Sequence, residues 1–360
     1  MMNKESYAAV LESRGVKRRD FLKFCSLLGV YMGLSPIMFA RMLKAMESKP
    51  RIPVIWIHGL ECTCCSESFL RSAHPLTSDI ILNMISLDYH NTLSAAAGDQ
   101  LEEVRRQIMK DHKGKYILAV EGNAPTKDGG VYCTINGKTF LHELKETAED
   151  AMAVIAWGSC ASFGCVHTAK PNPTGAIPVH KIIRNKPVIN VPGCPPIAEV
   201  MTGTLAHFLT FGTLPQLDRL KRPKMFYGTR VHDKCYRRPF FDAGMFVENF
   251  DDEASSKGWC LYKMGCKGPT TFNSCPTIKW NDGTSYPIQS GHPCIGCSEP
   301  EFWDHGPFYT RDASVNFFGV DSDADSLGKW VAGAAAVGVA AHAIGTAVQQ
   351  KVKSNNNEEG

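Results

Sequence analysis

Between residues 52 and 224, short apolar runs alternate with stretches in which apolar residues recur at helical spacing. The apolar runs predict buried strands at residues 54–58, 80–87, 116–120, 153–157 and 188–191. The stretches between and after them predict helices at residues 66–73, 97–112, 141–150 and 198–211. Strands that alternate with helices are typical of a parallel sheet covered on both faces. We therefore expect an α/β domain with a flavodoxin-like parallel sheet over residues 46–224.

The pattern changes at about residue 225. From there to residue 313 the periodicity fades, and Gly, Pro and Cys become frequent. A segment of this kind buries little apolar surface and needs a cross-link from another source. The sequence thus predicts a second, irregular domain over residues 225–313 that inorganic groups hold together.

Residues 331–348 form an uncharged run, of which eleven residues are Ala or Gly. As a helix the run spans about 27 Å, close to the thickness of a bilayer's hydrocarbon core. We expect a C-terminal transmembrane helix that contains His342, with a linker at residues 314–330 and a cytoplasmic tail at 349–360. Trp330 suits the membrane interface, and the lysines of the tail suit the cytoplasmic side. A soluble Ala-rich helix is the alternative.

The N-terminus has the features of an export signal. Arg18 and Arg19 lie in a Lys-Arg-Arg-Asp-Phe-Leu-Lys run, before a moderately apolar stretch that Pro36 interrupts. This run is a twin-arginine motif, and a small residue at Ala45 predicts cleavage before Met46. The alternatives are a basic amphipathic start and a first membrane helix. A twin-arginine substrate is exported folded, so its thiols meet metal before they meet an oxidant, which favours a cofactor over disulfides.

Charge and cysteine content narrow the class of protein. Residues 1–45 hold eight Lys and Arg against three Asp and Glu, which leaves 31 against 33 for the rest of the chain. A slightly acidic body has no electrostatic footprint for nucleic acid, which excludes a nucleic-acid partner. The 14 cysteines in 360 residues are far more than an ordinary enzyme carries.

Six of these cysteines follow predicted strands, and Glu121 follows a strand as well. In an open α/β sheet, ligands bind beyond the carboxyl ends of the strands, so we expect these side chains to converge. Soft thiolates at one point select an iron–sulfur cluster, zinc or copper(I). A single cysteine is more often a buried small apolar residue. We call the six cysteines the strand-edge set: Cys62, Cys64, Cys65, Cys160, Cys165 and Cys194.

The irregular half supplies two further groups of ligand-type residues. The Cys3His set comprises His232, Cys235, Cys260 and Cys266. The three-thiolate set comprises Cys275, Cys294 and Cys297. Three cysteines with one histidine also suit structural zinc, whereas three thiolates without a fourth ligand suit a cluster that lacks one iron. Cys25 and Cys133 are expected to have no role in metal binding.

Six ordered motifs surround the cysteines: Glu61-Cys62-Thr63-x-Cys65-Ser66-Glu67-Ser68, Gly158-Ser159-Cys160-Ala161, Gly193-Cys194-Pro195-Pro196, His232-x-x-Cys235, Gly265-Cys266-Lys267-Gly268-Pro269 and Gly291-His292-Pro293-Cys294-Ile295-Gly296-Cys297. With these motifs, essentially the whole chain resembles the small subunit of membrane-bound, group 1 NiFe hydrogenases.

The resemblance implies three clusters. Cys62, Cys65, Cys160 and Cys194 would hold the proximal cluster, next to a Ni–Fe centre on a separate large subunit. The Cys3His set would hold a distal 4Fe-4S cluster, and the three-thiolate set a medial 3Fe-4S cluster. Pro287 stands about where a fourth thiolate is expected.

Two positions of the strand-edge set depart from the commoner family pattern. Cys64 and Cys165 are usually glycine, and the extra pair resembles the oxygen-tolerant branch of the family. In that branch six cysteines hold a 4Fe-3S proximal cluster. Glu121 would then lend a carboxylate to iron, and the alternative for it is a capping or salt-bridged carboxylate.

The function implied is that of an electron-transfer subunit of an uptake hydrogenase, with no catalytic residue of its own. Electrons from hydrogen would pass through the proximal, medial and distal clusters to a membrane cytochrome b and quinone. We expect a dimer of heterodimers on the periplasmic side of the cytoplasmic membrane. Two alternatives remain: the iron–sulfur subunit of an energy-converting quinone oxidoreductase, and an exported binding protein stapled by zinc or disulfides.

Overall fold

A computed structural model describes residues 18–48, 51–73, 85–310, 314–317 and 320–358. The chain divides into two compact units, Met1–Thr310 and Arg311–Gly360. The strands of the first unit are β1 (Ile52–His58), β2 (Ile85–His90), β3 (Ile117–Glu121), β4 (Ala124–Pro125), β5 (Thr134–Ile135), β6 (Lys138–Thr139), β7 (Ala153–Trp157), β8 (Ala176–Ile177) and β9 (Val188–Val191).

The first unit also contains helices of very different lengths. They are α1 (Arg18–Tyr31), α2 (Pro36–Ser48), α3 (Cys64–Leu70), α4 (Asp99–Asp111), α5 (Phe140–Glu149), α6 (Gly158–Phe163), α7 (Val179–Ile182), α8 (Ala198–Phe211), α9 (Lys224–Tyr227), α10 (Arg238–Asp242), α11 (Glu253–Ser256) and α12 (Cys275–Ile278). Single 3-10 turns occur at Lys127–Gly130, Cys165–Thr168, His232–Lys234 and Tyr262–Met264.

Five of the described strands form the main sheet, in the order β2-β1-β3-β7-β9, and all of its pairs are parallel. This is the strand order of a flavodoxin-like sheet. The prediction of a parallel α/β fold is confirmed. At the carboxyl edge the register pairs His58 with Glu121 and Glu121 with Trp157. The ends of β1, β3 and β7 are therefore level with one another, and the loops that follow them begin side by side at this edge of the sheet.

Apolar side chains cover both faces of the sheet. Val54 and Trp56 pack in one buried layer, while Ile55 and Ile57 pack in the other. This alternation follows from the period of two along a strand, and it explains why the strands are apolar throughout. The first layer continues into Val231 of the irregular part.

Most predicted elements lie where the periodicity places them. The strands at 153–157 and 188–191 and the helix at 198–211 have the predicted bounds. Part of the predicted strand at 80–87 lies outside the described residues, and β2 continues to His90. The helix predicted at 66–73 begins at Cys64, because Thr63 has a left-handed backbone with φ of 62° that turns the chain directly into a helix.

The predicted export segment forms a helical hairpin, α1 and α2, that packs on α8. Cys25, Met32 and Met42 of this hairpin are buried in the same apolar layer as Met201 of α8. Arg19 is exposed near the start of α1. Residues 1–17 of the predicted signal lie outside the described residues.

The second unit consists of an antiparallel pair, β10 (Ser314–Phe317) and β11 (Val320–Asp323), and the 35-residue helix α13 (Ala324–Glu358). The helix begins seven residues before the predicted span, because helix bounds follow backbone hydrogen bonding rather than the uncharged run. Among the described residues, Gly328–Gln350 of α13 is long and apolar enough to cross a membrane, with mean hydropathy 1.7. Its 23 residues correspond to about 34 Å.

If α13 is the membrane anchor, a chain that ends at Leu327 should be recovered in the soluble fraction after cell lysis. The full-length chain should sediment with membranes and require detergent. Truncation after Gln350 is the matched control, since it removes the tail and keeps the span. Sedimentation of the Leu327 truncation with washed membranes would contradict the assignment.

Candidate metal centres

The strand-edge set lies beyond the carboxyl ends of three strands. Cys62 follows β1, and Cys64 and Cys65 form the first turn of α3. The remaining members follow β7 and β9: Cys160 in α6, Cys165 at the next 3-10 turn, and Cys194 after β9.

Electrostatic contacts connect all six thiols of this set. Cys65 interacts with Cys62, Cys160 and Cys194. Cys62 shares a hydrogen bond with Cys64, and Cys165 shares hydrogen bonds with Cys160 and Cys194. The convergence predicted from strand topology is therefore present in the structure.

Two glycines let the backbone approach this group of thiols. A Cβ on Gly158 would lie 2.4 Å from the sulfur of Cys65, and its φ of 77° also favours glycine. A Cβ on Gly193 would lie 2.7 Å from the backbone of Pro196. The loops after β7 and β9 thus require glycine to surround the thiols closely.

Burial and mutual contacts disfavour thiolates here in the absence of a cation. Burial raises the pKa of Cys62 to about 11, and the hydrogen bond that the Cys165 thiol donates to Cys160, with burial, raises the pKa of Cys165 to about 12. Burial also holds the pKa of Cys65 well above its usual range. Six converging sulfurs become stable thiolates only around strongly positive, soft metal ions, so the donor set fits an iron–sulfur cluster.

Glu121, the last residue of β3, is 1% exposed and faces the start of α3. Its Oε1 accepts a hydrogen bond from the backbone amide of Cys65 at 2.8 Å. Its Oε2 accepts bonds from the amide of Ser66 at 3.1 Å and from the indole of Trp56 at 3.3 Å. These contacts match the capping alternative for Glu121, and its role as an iron ligand stays a prediction.

The three thiols of the Cys3His set also lie together. Cys260 interacts with Cys266 and Cys235, and burial raises the pKa of Cys260 to about 11 and that of Cys266 to about 12. The hydroxyl of Tyr286 donates to the sulfur of Cys235 at 3.5 Å. His232 begins the 3-10 turn that leads to Cys235, and its ring meets the face of Phe241 at 4.6 Å between centroids.

The three-thiolate set lies between the other two. Its members Cys275, Cys294 and Cys297 interact with one another. The sulfur of Cys297 faces the backbone amide of Cys194, a member of the strand-edge set. The sulfur of Cys266, in the Cys3His set, faces the amide of Cys294. The three sets therefore form a series in which the three-thiolate set is the middle member.

Further contacts support this series. Tyr227 is fully buried and interacts with Cys65, Cys275 and Cys297, so its ring lies between the strand-edge and three-thiolate sets. The hydroxyl of Ser159 donates to the carbonyl of Cys297. Pro287, by contrast, is exposed, while its neighbours Tyr286 and Ile288 are buried.

Sequence reasoning missed the polar residues behind the strand-edge set. His58, Glu61 and Glu121 place ligand-type atoms within 4.8 Å of one another. The Nδ1 atom of His58 lies 3.4 Å from Glu61 and 3.8 Å from Glu121. Because His58 ends β1 just as Glu121 ends the adjacent β3, strand register was the available signal.

The other candidate residues lie elsewhere. Cys25 is buried in the layer that contains Trp56, whereas Cys133 packs against the opposite layer. His342 is exposed on α13, and its carbonyl accepts a hydrogen bond from Thr346 at 2.8 Å.

Comparison with known proteins gives two family matches. Residues 227–309 match the C-terminal domain of the NiFe/NiFeSe hydrogenase small subunit. Residues 62–208 match the 20 kDa subunit of NADH ubiquinone oxidoreductase.

Several curated relatives match nearly the whole chain. The uptake hydrogenase small subunit of Azotobacter vinelandii is 59% identical over 350 residues, which cover 97% of this chain and 98% of the relative. The hydrogenase-1 small chain of Escherichia coli K12 is 55% identical and covers 99% of this chain and 95% of the relative.

Solved structures agree with these matches. A chain of the NiFeSe hydrogenase from Desulfomicrobium baculatum superposes with a TM-score of 0.69 and 33% identity over 73% of this chain and 100% of that one. A chain of the NiFeSe hydrogenase from Desulfovibrio vulgaris Hildenborough superposes with a TM-score of 0.68 and 35% sequence identity, which covers 73% of this chain and 99% of that one.

Cys133 should differ from the cysteines of the three sets. Burial, with Glu143 and Glu61 nearby, raises the pKa of Cys133 to about 11. The difference from the three sets lies in its neighbours: the charged groups that shift its pKa are carboxylates rather than other thiols, so a metal ion beside Cys133 would lack further sulfur ligands. We expect Cys133→Ser to retain the full iron content of the purified protein, and Cys160→Ser to lose iron. Loss of iron in Cys133→Ser would add Cys133 to the ligands.

Proposed function

Since the chain belongs to the family of uptake NiFe hydrogenase small subunits, we propose that it carries electrons through three iron–sulfur clusters in series. The large subunit would split hydrogen into two protons and two electrons. This chain would then deliver the electrons to a membrane cytochrome b and, through it, to quinone.

The series of three ligand sets is the observation that carries the proposal. Iron–sulfur clusters, when bound, supply one-electron redox chemistry at potentials that the surrounding protein sets. The strand-edge set suits a proximal 4Fe-3S cluster, the three-thiolate set a medial 3Fe-4S cluster, and the Cys3His set a distal 4Fe-4S cluster. The contacts between Cys297 and Cys194, and between Cys266 and Cys294, support the order proximal, medial, distal.

The protein shields part of this path from water. Tyr227 fills the space between the first two sets, and Cys65 and Cys275 are each 8% exposed, whereas Cys62 and Cys194 lie at the surface. A dry, rigid surrounding limits the rearrangement that each electron transfer requires, and it excludes side reactions with solvent.

Oxygen tolerance is the finer part of the proposal, and Cys165 supports it. Its φ of 53° lies in the left-handed region, where a side chain costs about 1 kcal/mol relative to glycine. A cysteine at a position that favours glycine indicates that its thiol has a role. Cys64 and Cys165 contact the other members of the set, so two more thiolates could replace inorganic sulfide.

We also propose that the body faces the periplasm and that α13 anchors it in the cytoplasmic membrane. The twin-arginine motif at Arg18 and Arg19 supports export, and Lys351 and Lys353 after the span support a cytoplasmic C-terminus. A dimer of heterodimers belongs to the same proposal. For His342 two roles stay open, a hydrogen bond to a neighbouring helix and contact with the haem region of the cytochrome.

The quinone oxidoreductase alternative has one observation in its favour, the match over residues 62–208. That match covers the α/β part, whereas the Cys3His and three-thiolate sets lie entirely within the hydrogenase match at 227–309. In the binding-protein alternative, disulfides would staple the chain. All fourteen cysteines lie in the described residues, and no disulfide joins any of them there.

Purification of the chain with its large subunit tests the main proposal. We expect a brown complex that reduces an artificial dye with hydrogen, and that shows signals of three distinct iron–sulfur clusters in electron paramagnetic resonance. The chain without its large subunit should show no hydrogen-dependent dye reduction. A colourless complex, or one that contains zinc instead of iron, would overturn the proposal.

Replacement of both Cys64 and Cys165 by glycine tests oxygen tolerance. Anaerobic hydrogen oxidation should remain largely intact, because four thiolates still hold a cluster and position 165 favours glycine. Activity in air should fall at least tenfold relative to the anaerobic rate. Cys133→Gly is the matched control and should resist air like the unchanged protein; equal resistance in the double variant would contradict the proposed role.

A further inference from the structure

His90 lies behind the strand-edge set and has no role in the function proposed above. It ends β2, the strand next to β1, and is 1% exposed. Its ring packs against Trp56 at 5.1 Å and against His58 at 4.6 Å between centroids. Both of its ring nitrogens nevertheless have polar partners.

The hydrogen bonds of His90 determine its tautomer. Its Nδ1 accepts bonds from the backbone amides of Thr92 at 3.2 Å and Leu93 at 3.3 Å. Amides only donate, so Nδ1 carries no proton and the proton of the neutral ring is on Nε2. Burial, with His58 nearby, lowers the pKa of His90 to about 3, which agrees with a neutral ring.

This tautomer directs a second hydrogen bond. Nε2 lies 3.1 Å from the hydroxyl oxygen of Ser66, and it must be the donor. The hydroxyl of Ser66 therefore keeps its own hydrogen for another acceptor. It donates that hydrogen to Oε2 of Glu121 at 2.5 Å.

The chain of hydrogen bonds ends next to a cysteine of the strand-edge set. With Oε2 held by Ser66, Oε1 of Glu121 accepts the bond from the amide of Cys65. His90, Ser66 and Glu121 are all at most 2% exposed, so water does not compete for these bonds. In a buried site, each donor in such a chain strengthens the next bond.

We propose that His90 is a positioning residue of the proximal site, which acts through Ser66 to hold the Glu121 carboxylate against Cys65. The inference rests on the proposed function only in assigning Cys65 to the proximal cluster. His90 and Ser66 do not touch iron in it. They fix the place and the charge distribution of the carboxylate behind the cluster.

The consequence is electrostatic. When Ser66 donates to Glu121, the hydrogen bond draws negative charge away from the carboxylate. Loss of the His90 donor weakens that bond and leaves more negative charge near the cluster. Negative charge stabilises the oxidised state, so the midpoint potential of the proximal cluster falls.

Two substitutions at His90 separate this role from a structural one. In His90→Asn, the side-chain oxygen takes the place of Nδ1 and still accepts the amides of Thr92 and Leu93, but no donor reaches Ser66. In His90→Gln, the side-chain nitrogen takes the place of Nε2 and still donates to Ser66, but the cap on the loop is lost. We therefore expect His90→Asn to change the midpoint potential of the proximal cluster and His90→Gln to change it little.

The measurement is a redox titration of the complete heterodimer, followed by electron paramagnetic resonance. His90→Asn should lower the midpoint potential of the proximal cluster and leave those of the medial and distal clusters unchanged. Ser66→Ala should give a shift in the same direction, and the double variant should shift no further, because both act through one bond. His90→Gln should match the unchanged protein in the proximal potential.

An unchanged proximal potential in His90→Asn would overturn the proposal even if Ser66→Ala shifts it, because Ser66 bonds to Glu121 directly. A shift in His90→Gln alone would also overturn it, since His90 would then only cap the loop at Thr92 and Leu93. If His90→Asn does not assemble, the comparison of His90→Leu with His90→Gln decides, because both lose the cap and only Gln keeps the donor; equal potentials in the two would overturn the proposal. Failure of the proposed function is distinct, because the unchanged protein would then show no proximal cluster signal.

Discussion

The mutual repulsion of buried thiolates is the constraint on which the rest of this structure depends. Sulfur atoms that converge in a buried place carry negative charge only when a positive group lies among them. The raised pKa values of Cys65, Cys266 and Cys275, which follow from burial and from neighbouring cysteines, express this cost. Iron would remove the cost, and the thiolates would then cross-link loops that are far apart in the chain. We therefore expect folding and cluster assembly to be coupled.

The same constraint bears on how the first unit divides into an α/β part and an irregular part. In the α/β part, two apolar layers hold the sheet, and the strands deliver cysteines to its edge at no cost to the core. In the irregular part, helices α9 to α12 have four or five residues each, too few to be stable alone. Buried residues of this part, among them Val247, Leu261 and Ile288, instead join the apolar layer on one face of the sheet. Ligation by the Cys3His and three-thiolate sets would add cross-links, and the contact between Cys297 and Cys194 connects the two parts.

Topology was predictable from sequence where a simple period governs the chain. The strand at 153–157 and the helix at 198–211 follow from apolar periodicity, and the convergence of Cys160 and Cys194 follows from strand order. The early start of α3 did not follow, because it depends on the left-handed backbone of Thr63. The bonds from His90 through Ser66 to Glu121 connect residues 24 and 55 positions apart. No local pattern encodes them; they depend on the three-dimensional register of β2, α3 and β3.

The hairpin of α1 and α2 has a consequence for maturation. The predicted cut after Ala45 falls inside α2, which runs from Pro36 to Ser48 in one helical stretch. Peptidases act on extended backbone, so α2 must unwind before it is cut. Met42 is buried in the same apolar layer as residues of α8, so unwinding also uncovers part of that helix. If the chain is cut there, the precursor would protect its own cleavage site, and removal of α1 and most of α2 would expose the apolar side of α8 that they cover.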